Sequence, residues 1–414
     1  MPEMFVRFRK YLFKNSMIIL TASISNALFG FLFWWIAAIF YPATDVGLAT
    51  AMISSYSFLI IITRFGLEYS MIRFSSSREF SRIFNSTTVI STLTMLAATV
   101  IFIIGVGALS PDLSSLQSGE NAAIFLALAA VGSMQWMTSS SFLALKRLKE
   151  YLFQTLLLGL RVPLLLMFTA IGAIGILCSQ LLAFAIVLAI SMMILYKLGV
   201  KPGFSVDRDF VAHSLKFSAG NYVSTLFFAA APLILPVIAV NMAGAEQAAY
   251  YFIAYYVAAI LLLIPNAISM SLFVDGSNGG DIKRLTRGSI RDIYMLLIPA
   301  SLVLFVIGEP LLRAIGSEYS DAGLSLLRVM ILSNLVACPS FVYFAVARVR
   351  NQIKGLIVTA GTIFAVLMVS SYLLAAEFGI IGFGYAWILS YSVGGIMVGA
   401  MAISGGNRDG EVKS

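Results

Sequence analysis

Residues Tyr41–Phe74 read YPATDVGLATAMISSYSFLIIITRFGLEYSMIRF and contain a long apolar run with an acid at its start and a cation at its end. The run extends from Val46 to Ile72, with Asp45 before it and Arg73 after it. As a helix, about 20 apolar residues suffice to cross roughly 30 Å of hydrocarbon. This stretch therefore predicts a membrane-spanning helix whose two ends lie in differently charged surroundings.

Similar runs fill the rest of the 414-residue chain, in which 60% of the residues are hydrophobic and 11% are charged. Each run is close to or above the length that a transmembrane helix needs. The predicted spans 1 to 12 are Ser16–Phe40, Val46–Ile72, Ile83–Leu109, Asn121–Leu145, Tyr151–Ile171, Gly175–Tyr196, His213–Val240, Glu246–Phe273, Gly288–Gly308, Ala322–Ala347, Asn351–Ala376 and Ile380–Ile403. The sequence therefore predicts an all-α polytopic membrane protein.

Charge alternates between the gaps that separate these spans. All but four of the 27 Lys and Arg residues lie in every second gap, in the first turn of the span that follows such a gap, or in the terminal segments. Short cytoplasmic loops retain Lys and Arg, so we expect both termini in the cytoplasm and the chain in the cytoplasmic (inner) membrane. The net charge of +8 then reflects topology and does not indicate a nucleic-acid partner. The opposite gaps hold Arg313 and the acids Asp45, Asp112, Glu120, Glu246, Glu309, Glu318, Asp321 and Glu377.

Short segments of the first half recur about 200 residues later. Ser141–Tyr151 (SFLALKRLKEY) is similar to Ser340–Gln352 (SFVYFAVARVRNQ), and Ala170–Ile176 (AIGAIGI) to Glu377–Phe383 (EFGIIGF). Each half begins inside and holds six spans, so the sequence predicts twelve transmembrane helices in two parallel six-helix repeats around a central cavity. The predicted domains are a six-helix half at 1–196, a cytoplasmic linker at 197–212, a second half at 213–403 and a cytoplasmic tail at 404–414.

Three parts of the chain carry a family resemblance. The stretch Tyr41–Ser70, the motif GLEYSMIRF at Gly66–Phe74, and the glycine turns Ile171–Ile176 and Phe378–Phe383 resemble the polysaccharide flippases of the multidrug/oligosaccharidyl-lipid/polysaccharide exporter superfamily. The resemblance implies a flippase for a polyprenyl-diphosphate-linked oligosaccharide that works by alternating access, coupled to H⁺ or Na⁺. It also implies membrane lipids and a polysaccharide polymerase or glycosyltransferases as partners, and no cofactor.

Ionisable side chains inside spans are costly and are functional candidates by default. Arg161 lies about 16 Å from the inner end of span 5, at 1.5 Å per residue. It is a candidate ligand for the diphosphate at the midplane; the alternative is an Arg packed against backbone carbonyls. Arg328, about 10 Å below the outer end of span 10, is a candidate outer contact. Alternatively, its side chain is oriented toward the lipid interface or toward Glu318 and Asp321.

Arg64 and Glu68 are four residues apart near the inner end of span 2 and share one helix face. They form either a local charge pair or a gate that senses a coupling cation, with Arg73 as a further phosphate contact. In span 7, Pro232 and Pro236 lie one turn apart and predict either a hinge for alternating access or a static bend.

Amide side chains form a second set of candidates, Asn26, Gln135, Asn221 and Asn334, which occupy comparable positions in the two halves. They either form hydrogen bonds between helices or bind sugar hydroxyls. The tyrosines of span 8, among them Tyr255, are candidates to line a sugar path.

Several function classes are disfavoured by what the sequence lacks. It has no phosphate-binding G-x-x-x-x-G-K-[ST] motif, no zinc-ligand spacing and no nucleophile–base pair, so we assign no catalytic residue and no metal ligand. An ion-coupled drug or cation antiporter of the same superfamily remains the alternative, although Glu68 is the one acid beyond the first five residues of a span. A membrane glycosyltransferase or polymerase, and a channel or scaffold, are further alternatives.

Overall fold

Apolar helices make up almost the whole of the computed structural model, which describes residues 2–74, 79–277 and 279–411. The chain consists of two units, Met1–Tyr222 and Val223–Ser414. The described residues contain no β-strand. The domain limits expected from the sequence stay a prediction.

The helices of the first unit follow the apolar runs. They are α1 (Pro2–Phe40), α2 (Ala43–Arg64), α3 (Leu67–Phe74), α4 (Phe80–Leu109), α5 (Gly119–Ala144), α6 (Leu148–Leu157), α7 (Arg161–Leu165) and α8 (Gly172–Lys197). Short 3₁₀ turns occupy Pro111–Gln117, Leu158–Leu160 and Thr169–Ile171. The next helix, α9 (Arg208–Ala243), begins in this unit and ends in the second.

The second unit continues with α10 (Ala245–Ala259), a 3₁₀ turn (Ile260–Leu262), α11 (Leu263–Ser277), α12 (Ile282–Arg313), α13 (Ser317–Val349), α14 (Ile353–Phe378) and α15 (Ile380–Glu411). Together α10 and α11 cover the predicted span 8, with the 3₁₀ turn between them. Helix α9 runs on through Pro232 and Pro236 without a break in its helical assignment.

By length and apolar composition, ten segments of the described residues can cross a membrane. They correspond to all the predicted spans except 5 and 7. Span 5 was wrongly expected to be one helix, because Gly159 and Pro163 divide it into α6, a 3₁₀ turn and α7. In span 7 the described residues contain a shorter apolar helical segment, Ala229–Ala243. The total of twelve spans stays a prediction.

Polarity is distributed as a membrane environment requires. On α4, Thr87, Ser91 and Thr99 are fully buried, whereas Ile101 and Ile104 are 71% and 74% exposed. Lipid tails solvate apolar side chains, and polar groups must find partners inside the protein. The exposed apolar surface of α4 is therefore suited to contact with hydrocarbon.

Two kinds of turn recur in both units. After α5 and after α13 the chain passes through a left-handed residue, Lys146 (φ 56°) and Asn351 (φ 53°). The amide of the following residue donates to a carbonyl five residues back, Arg147 to Phe142 (2.8 Å) and Gln352 to Ala347 (2.8 Å). Both turns end their helices with the hydrogen bonding of a Schellman motif.

The second kind of turn requires glycine. Gly172 has φ 58° and ψ −141°, and Gly379 has φ 60° and ψ −143°, which is a backbone region open essentially to glycine alone. Three residues later, a Cβ on Gly175 would clash with the Phe168 carbonyl oxygen, and one on Gly382 with the Leu374 carbonyl oxygen. The two predicted glycine turns thus share one local geometry.

We predict that Gly382→Ala lowers the stability of the protein by about 1–3 kcal/mol, the usual range for an overpacked site. The added methyl group would overlap the Leu374 carbonyl, which belongs to backbone and cannot rotate away. Gly395→Ala on the same helix is the control, because its Cβ would meet nothing within 4 Å. Melting temperatures of the purified variants test this, and equal values for both would contradict it.

Candidate functional site

The inner part of the predicted span 2 is broken rather than continuous. Helix α2 ends at Arg64, Phe65 (φ 49°) and Gly66 (φ 72°) are both left-handed, and α3 starts at Leu67. Glycine accepts this conformation at little cost, and its presence at position 66 allows the chain to turn. The expectation of one helix to Ile72 was therefore wrong.

The break leaves carbonyls at the end of α2 without intrahelical partners. Side chains from elsewhere in the first unit approach these carbonyls in place of the missing backbone amides. The Tyr222 hydroxyl donates to the Ile61 carbonyl (2.8 Å). The Thr94 hydroxyl lies 3.0 Å from the Thr63 carbonyl and 2.8 Å from the Ile90 carbonyl of its own helix. The Tyr222 ring also packs against Phe65, with centroids 6.4 Å apart. These contacts hold the break in place where no water is available to solvate it.

Arg64 and Glu68 face each other across this break. Arg64 Nη1 lies 3.3 Å from Glu68 Oε1, and the two side chains are only 12% and 14% exposed. The predicted ion pair is thus present, although the two residues belong to different helices. Arg64 Nε donates to the Ile60 carbonyl (3.1 Å), and Arg64 Cζ lies 4.1 Å from the ring centroid of Trp136. The guanidinium is therefore fixed from three directions.

Glu68 uses only one of its carboxylate oxygens in this pair. Oε2 is buried, and within the described ranges it accepts no hydrogen bond. A buried carboxylate oxygen of this kind is costly to leave unmatched. Arg73 lies further along α3 and is exposed, with its Cζ 5.9 Å from the Phe74 ring centroid.

Arg161 lies at the second break of the first unit. It is the first residue of α7, and its half-buried guanidinium has Cζ 5.3 Å from the ring centroid of Phe33 on α1. At the other end of α7, the Tyr41 hydroxyl donates to the Leu165 carbonyl (2.7 Å). Burial, and next the Asp45 carboxylate, raise the pKa of Tyr41 to about 12, so this hydroxyl keeps its proton at neutral pH.

Arg328 lies in the second unit on α13. Its half-buried guanidinium has Cζ 5.0 Å from the ring centroid of Phe305 on α12, and Phe305 is itself 41% exposed. This contact is a cation–π arrangement. It brings Arg328 next to an exposed apolar ring, which agrees with the lipid-interface alternative for this residue.

One candidate amide, Asn334, bonds to another helix, whereas Gln135 donates to a side chain of its own helix. Gln135 donates to Ser139 (3.4 Å), whose hydroxyl donates to Gln154 on α6 (2.8 Å). Asn334 on α13 donates to the Ala258 carbonyl (2.8 Å), where α10 gives way to the 3₁₀ turn. Asn26 is exposed on α1. The side chain of Asn221 lies outside the described residues.

Aromatic rings form a stack in the second unit that the sequence indicated only in part. Tyr255 stacks on Trp387 (5.8 Å between centroids), and Trp387 stacks on Tyr391 (5.3 Å). The three rings line a cavity of about 100 Å³ together with Pro232 and Asn266. Spacing in the sequence pointed to Tyr255, but nothing in it related Trp387 or Tyr391, over 130 residues away, to the same cavity.

Metal ligands are not clustered in the part of the chain that the structure describes. No group of three or more His, Cys, Asp or Glu side chains there could hold a metal ion. Cys178 is half-buried and Cys338 is buried, and both are free thiols. The site chemistry of the described residues is thus that of guanidinium, carboxylate, amide and aromatic groups.

Comparison with known proteins identifies both a family and a fold. The sequence model of the family described as "Polysaccharide biosynthesis protein" matches residues 12–273. No curated protein sequence matches the chain significantly. Solved structures that resemble it are all much less similar in sequence than in fold.

Two of these structures are transporters of the MOP superfamily, and a third is a lipid flippase. An inward-facing multidrug resistance MATE family transporter of the MOP superfamily has a TM-score of 0.72 at 15% identity, with 94% of this chain and 98% of the other covered. The lipid II flippase MurJ in an inward closed conformation has a TM-score of 0.69 at 14% identity, with 92% of this chain and 86% of the other covered. A MOP superfamily transporter from Pyrococcus furiosus has a TM-score of 0.57 at 15% identity, with 94% of each chain covered. The fold of this chain is therefore that of a polytopic membrane transporter.

We predict that Tyr222→Phe destabilises the protein by about 1–3 kcal/mol, since it leaves the Ile61 carbonyl without its donor while keeping the ring against Phe65. Tyr372→Phe is the matched control, because this side chain is 64% exposed. Thermal unfolding of the purified variants measures the difference. A melting temperature of Tyr222→Phe equal to that of the control would show that the carbonyl does not depend on Tyr222.

Proposed function

Because the chain belongs to the polysaccharide biosynthesis protein family, we propose that it is a flippase for a polyprenyl-diphosphate-linked oligosaccharide in cell-surface polysaccharide synthesis. It works by alternating access in the cytoplasmic membrane, with both termini in the cytoplasm. The cation-rich gaps of the sequence support this orientation.

The observation that carries the proposal is the excess of cations at the two helix breaks of the first unit. Arg64 lies there with a largely buried side chain and Arg161 with a half-buried one, and Glu68 supplies a single carboxylate. Arginine forks match phosphate oxygens and bind them bidentately. A diphosphate brings the negative charge that this site lacks, whereas a cationic drug would add to the excess.

Arg161 is the proposed diphosphate ligand at the midplane, Arg64 and Arg73 are proposed to serve the inner mouth, and Arg328 is the proposed outer contact. The fixed position of Arg64 supports its role, since a guanidinium that is already held loses little freedom on binding. Asn26, Gln135, Asn221 and Asn334 are the proposed contacts for sugar hydroxyls. The exposure of Asn26 favours this amide most, because Gln135 and Asn334 already donate to protein groups.

The proposed architecture has twelve spans in two six-helix repeats, with α6 to α7 as the fifth span and α9 as the seventh. The paired turns support it, since Lys146 and Asn351, like Gly172 and Gly379, have the same local backbone about 205 residues apart. Pro232 and Pro236 in α9 are the proposed hinge residues.

An ion-coupled antiporter of the same superfamily is the second candidate function. The unmatched Oε2 of Glu68 favours it, because antiport of H⁺ or Na⁺ needs a carboxylate that changes its occupancy. In the flippase the same carboxylate serves as the coupling and gating group beside Arg64. The two candidates therefore differ in the organic substrate and share the ion.

The flippase is tested with purified protein in vesicles that contain a fluorescent polyprenyl-diphosphate oligosaccharide in both leaflets. An impermeant quencher added outside reports how much of the lipid changes leaflet. We expect complete quenching with protein and about half without it, and recovered lipid of unchanged mass. Lipid of altered mass would indicate a transferase or polymerase instead, and transport of cationic dyes alone would favour the antiporter.

Arg161→Ala is expected to reduce the flipping rate at least tenfold, because it removes the guanidinium group that is proposed to bind the diphosphate at the midplane. Arg161→Lys keeps the charge without the planar fork, so we expect a smaller loss. Arg313→Gln is the control at an exposed pair with Glu309. Flipping by Arg161→Ala at the wild-type rate would remove Arg161 from the site.

Glu68→Gln is expected to abolish the response of transport to an imposed H⁺ or Na⁺ gradient, because the amide cannot take up a proton or balance a cation. Downhill flipping should persist, since Arg64 remains. Flipping rates with and without each gradient distinguish the two ions. Gradient-driven transport that survives in Glu68→Gln would exclude this carboxylate as the coupling group.

A further inference from the structure

A groove of about 1180 Å³ opens in the second unit between the N-terminal ends of α12 and α14, the last part of α13 and the last part of α15. It is distinct from the aromatic-lined cavity, with which it shares no lining residue. Its apolar wall contains Ile290, Val342, Val346 and Val398. A groove of this size can hold a lipid headgroup and the first part of its chains.

The charged lining of the groove is entirely positive. Lys283 and Arg287 line it from α12, and Arg350 and Lys354 from the turn that joins α13 to α14. All four side chains are exposed, and no carboxylate is among the described residues that line the groove. Basic pockets of this kind between transmembrane helices, on the cytoplasmic side, bind anionic lipid headgroups.

The start of α14 adds to this field. Ile353, Lys354 and Gly355 line the groove, and the N-cap residue Gln352 makes no side-chain capping bond to the first turn. By contrast, Asp281 caps α12 by accepting from the amides of Lys283 and Arg284. A helix N-terminus without an acidic cap favours an anion.

One further hydroxyl lies beside that first turn. A Cβ on Gly355 would come within 2.6 Å of the Tyr343 hydroxyl oxygen, so the absence of a side chain at Gly355 leaves room for it. Tyr343 also lines the groove, and its hydroxyl donates only to the thioether of Met401 (3.4 Å). Thioether sulfur is a weak acceptor, so this hydroxyl can exchange it for a phosphate oxygen.

We propose that this groove binds an anionic phospholipid of the cytoplasmic leaflet, with its phosphate between the α12 cations and the start of α14 and its chains along the aliphatic wall. The site lies in a different unit from Arg64 and Arg161; it rests on the cytoplasmic orientation proposed above and does not depend on which substrate is transported. Anionic phospholipids are the main anionic amphiphiles of that leaflet, so mass action favours them there.

The test uses the purified full chain and measures the melting temperature as lipid is titrated into neutral detergent micelles. The test pair is Lys283→Gln with Arg287→Gln. Its control is Arg284→Gln with Arg291→Gln, which removes the same charge from the same helix at positions that do not line the groove. Phosphatidylglycerol, phosphatidylcholine with identical chains, inorganic phosphate and a polyprenyl diphosphate are titrated separately.

We expect phosphatidylglycerol to raise the melting temperature of the wild type and of the control pair, and phosphatidylcholine to have no effect. In the test pair the half-saturating concentration should rise about tenfold or more. Arg350→Gln with Lys354→Gln, on the opposite wall, should behave like the test pair and replaces it if that variant does not fold. Equal titrations in test and control pairs would overturn the proposal. So would saturation by inorganic phosphate alone, or by polyprenyl diphosphate at lower concentration than phosphatidylglycerol.

Discussion

The hydrogen bonding of carbonyl groups at interrupted helices is the constraint on which this structure depends. In hydrocarbon no water can replace a missing intrahelical donor, so every interruption needs a side chain from another helix. Tyr222 meets this need after Arg64, and the Leu165 carbonyl accepts both the Tyr41 hydroxyl and the Phe168 amide. In the second unit Asn334 donates to Ala258. Helix breaks inside the membrane are thus tied to particular donors.

The same breaks explain where charged groups can be held. Arg64 and Glu68 remain paired across the turn at Phe65 and Gly66, and the guanidinium also contacts the Ile60 carbonyl and the Trp136 ring. Arg161 starts a new helical segment beside Phe33. A continuous helix would satisfy its own backbone but would offer no such fixed position. The proposed diphosphate site therefore rests on interruptions that the donors above make possible.

Ten of the spans were predictable because hydrophobic length and the alternation of Lys and Arg are properties of the sequence alone. The interruption at Phe65 was not, since a left-handed phenylalanine has no sequence signal beyond the glycine that follows it. The donors were equally hidden: Tyr222 lies 161 residues from Ile61 in the chain. For Asn334, the sequence offered a sugar contact or an interhelical bond, and only the fold brings it to the Ala258 carbonyl.

The central claim is that guanidinium groups fixed at these breaks bind a diphosphate. Titration of a short polyprenyl diphosphate into purified protein, followed by calorimetry, tests it directly. The account predicts that combining Arg64→Gln with Arg161→Gln weakens the affinity at least tenfold, about 1.4 kcal/mol or more, while Arg313→Gln leaves it unchanged. An affinity of the double variant equal to that of the wild type would contradict it.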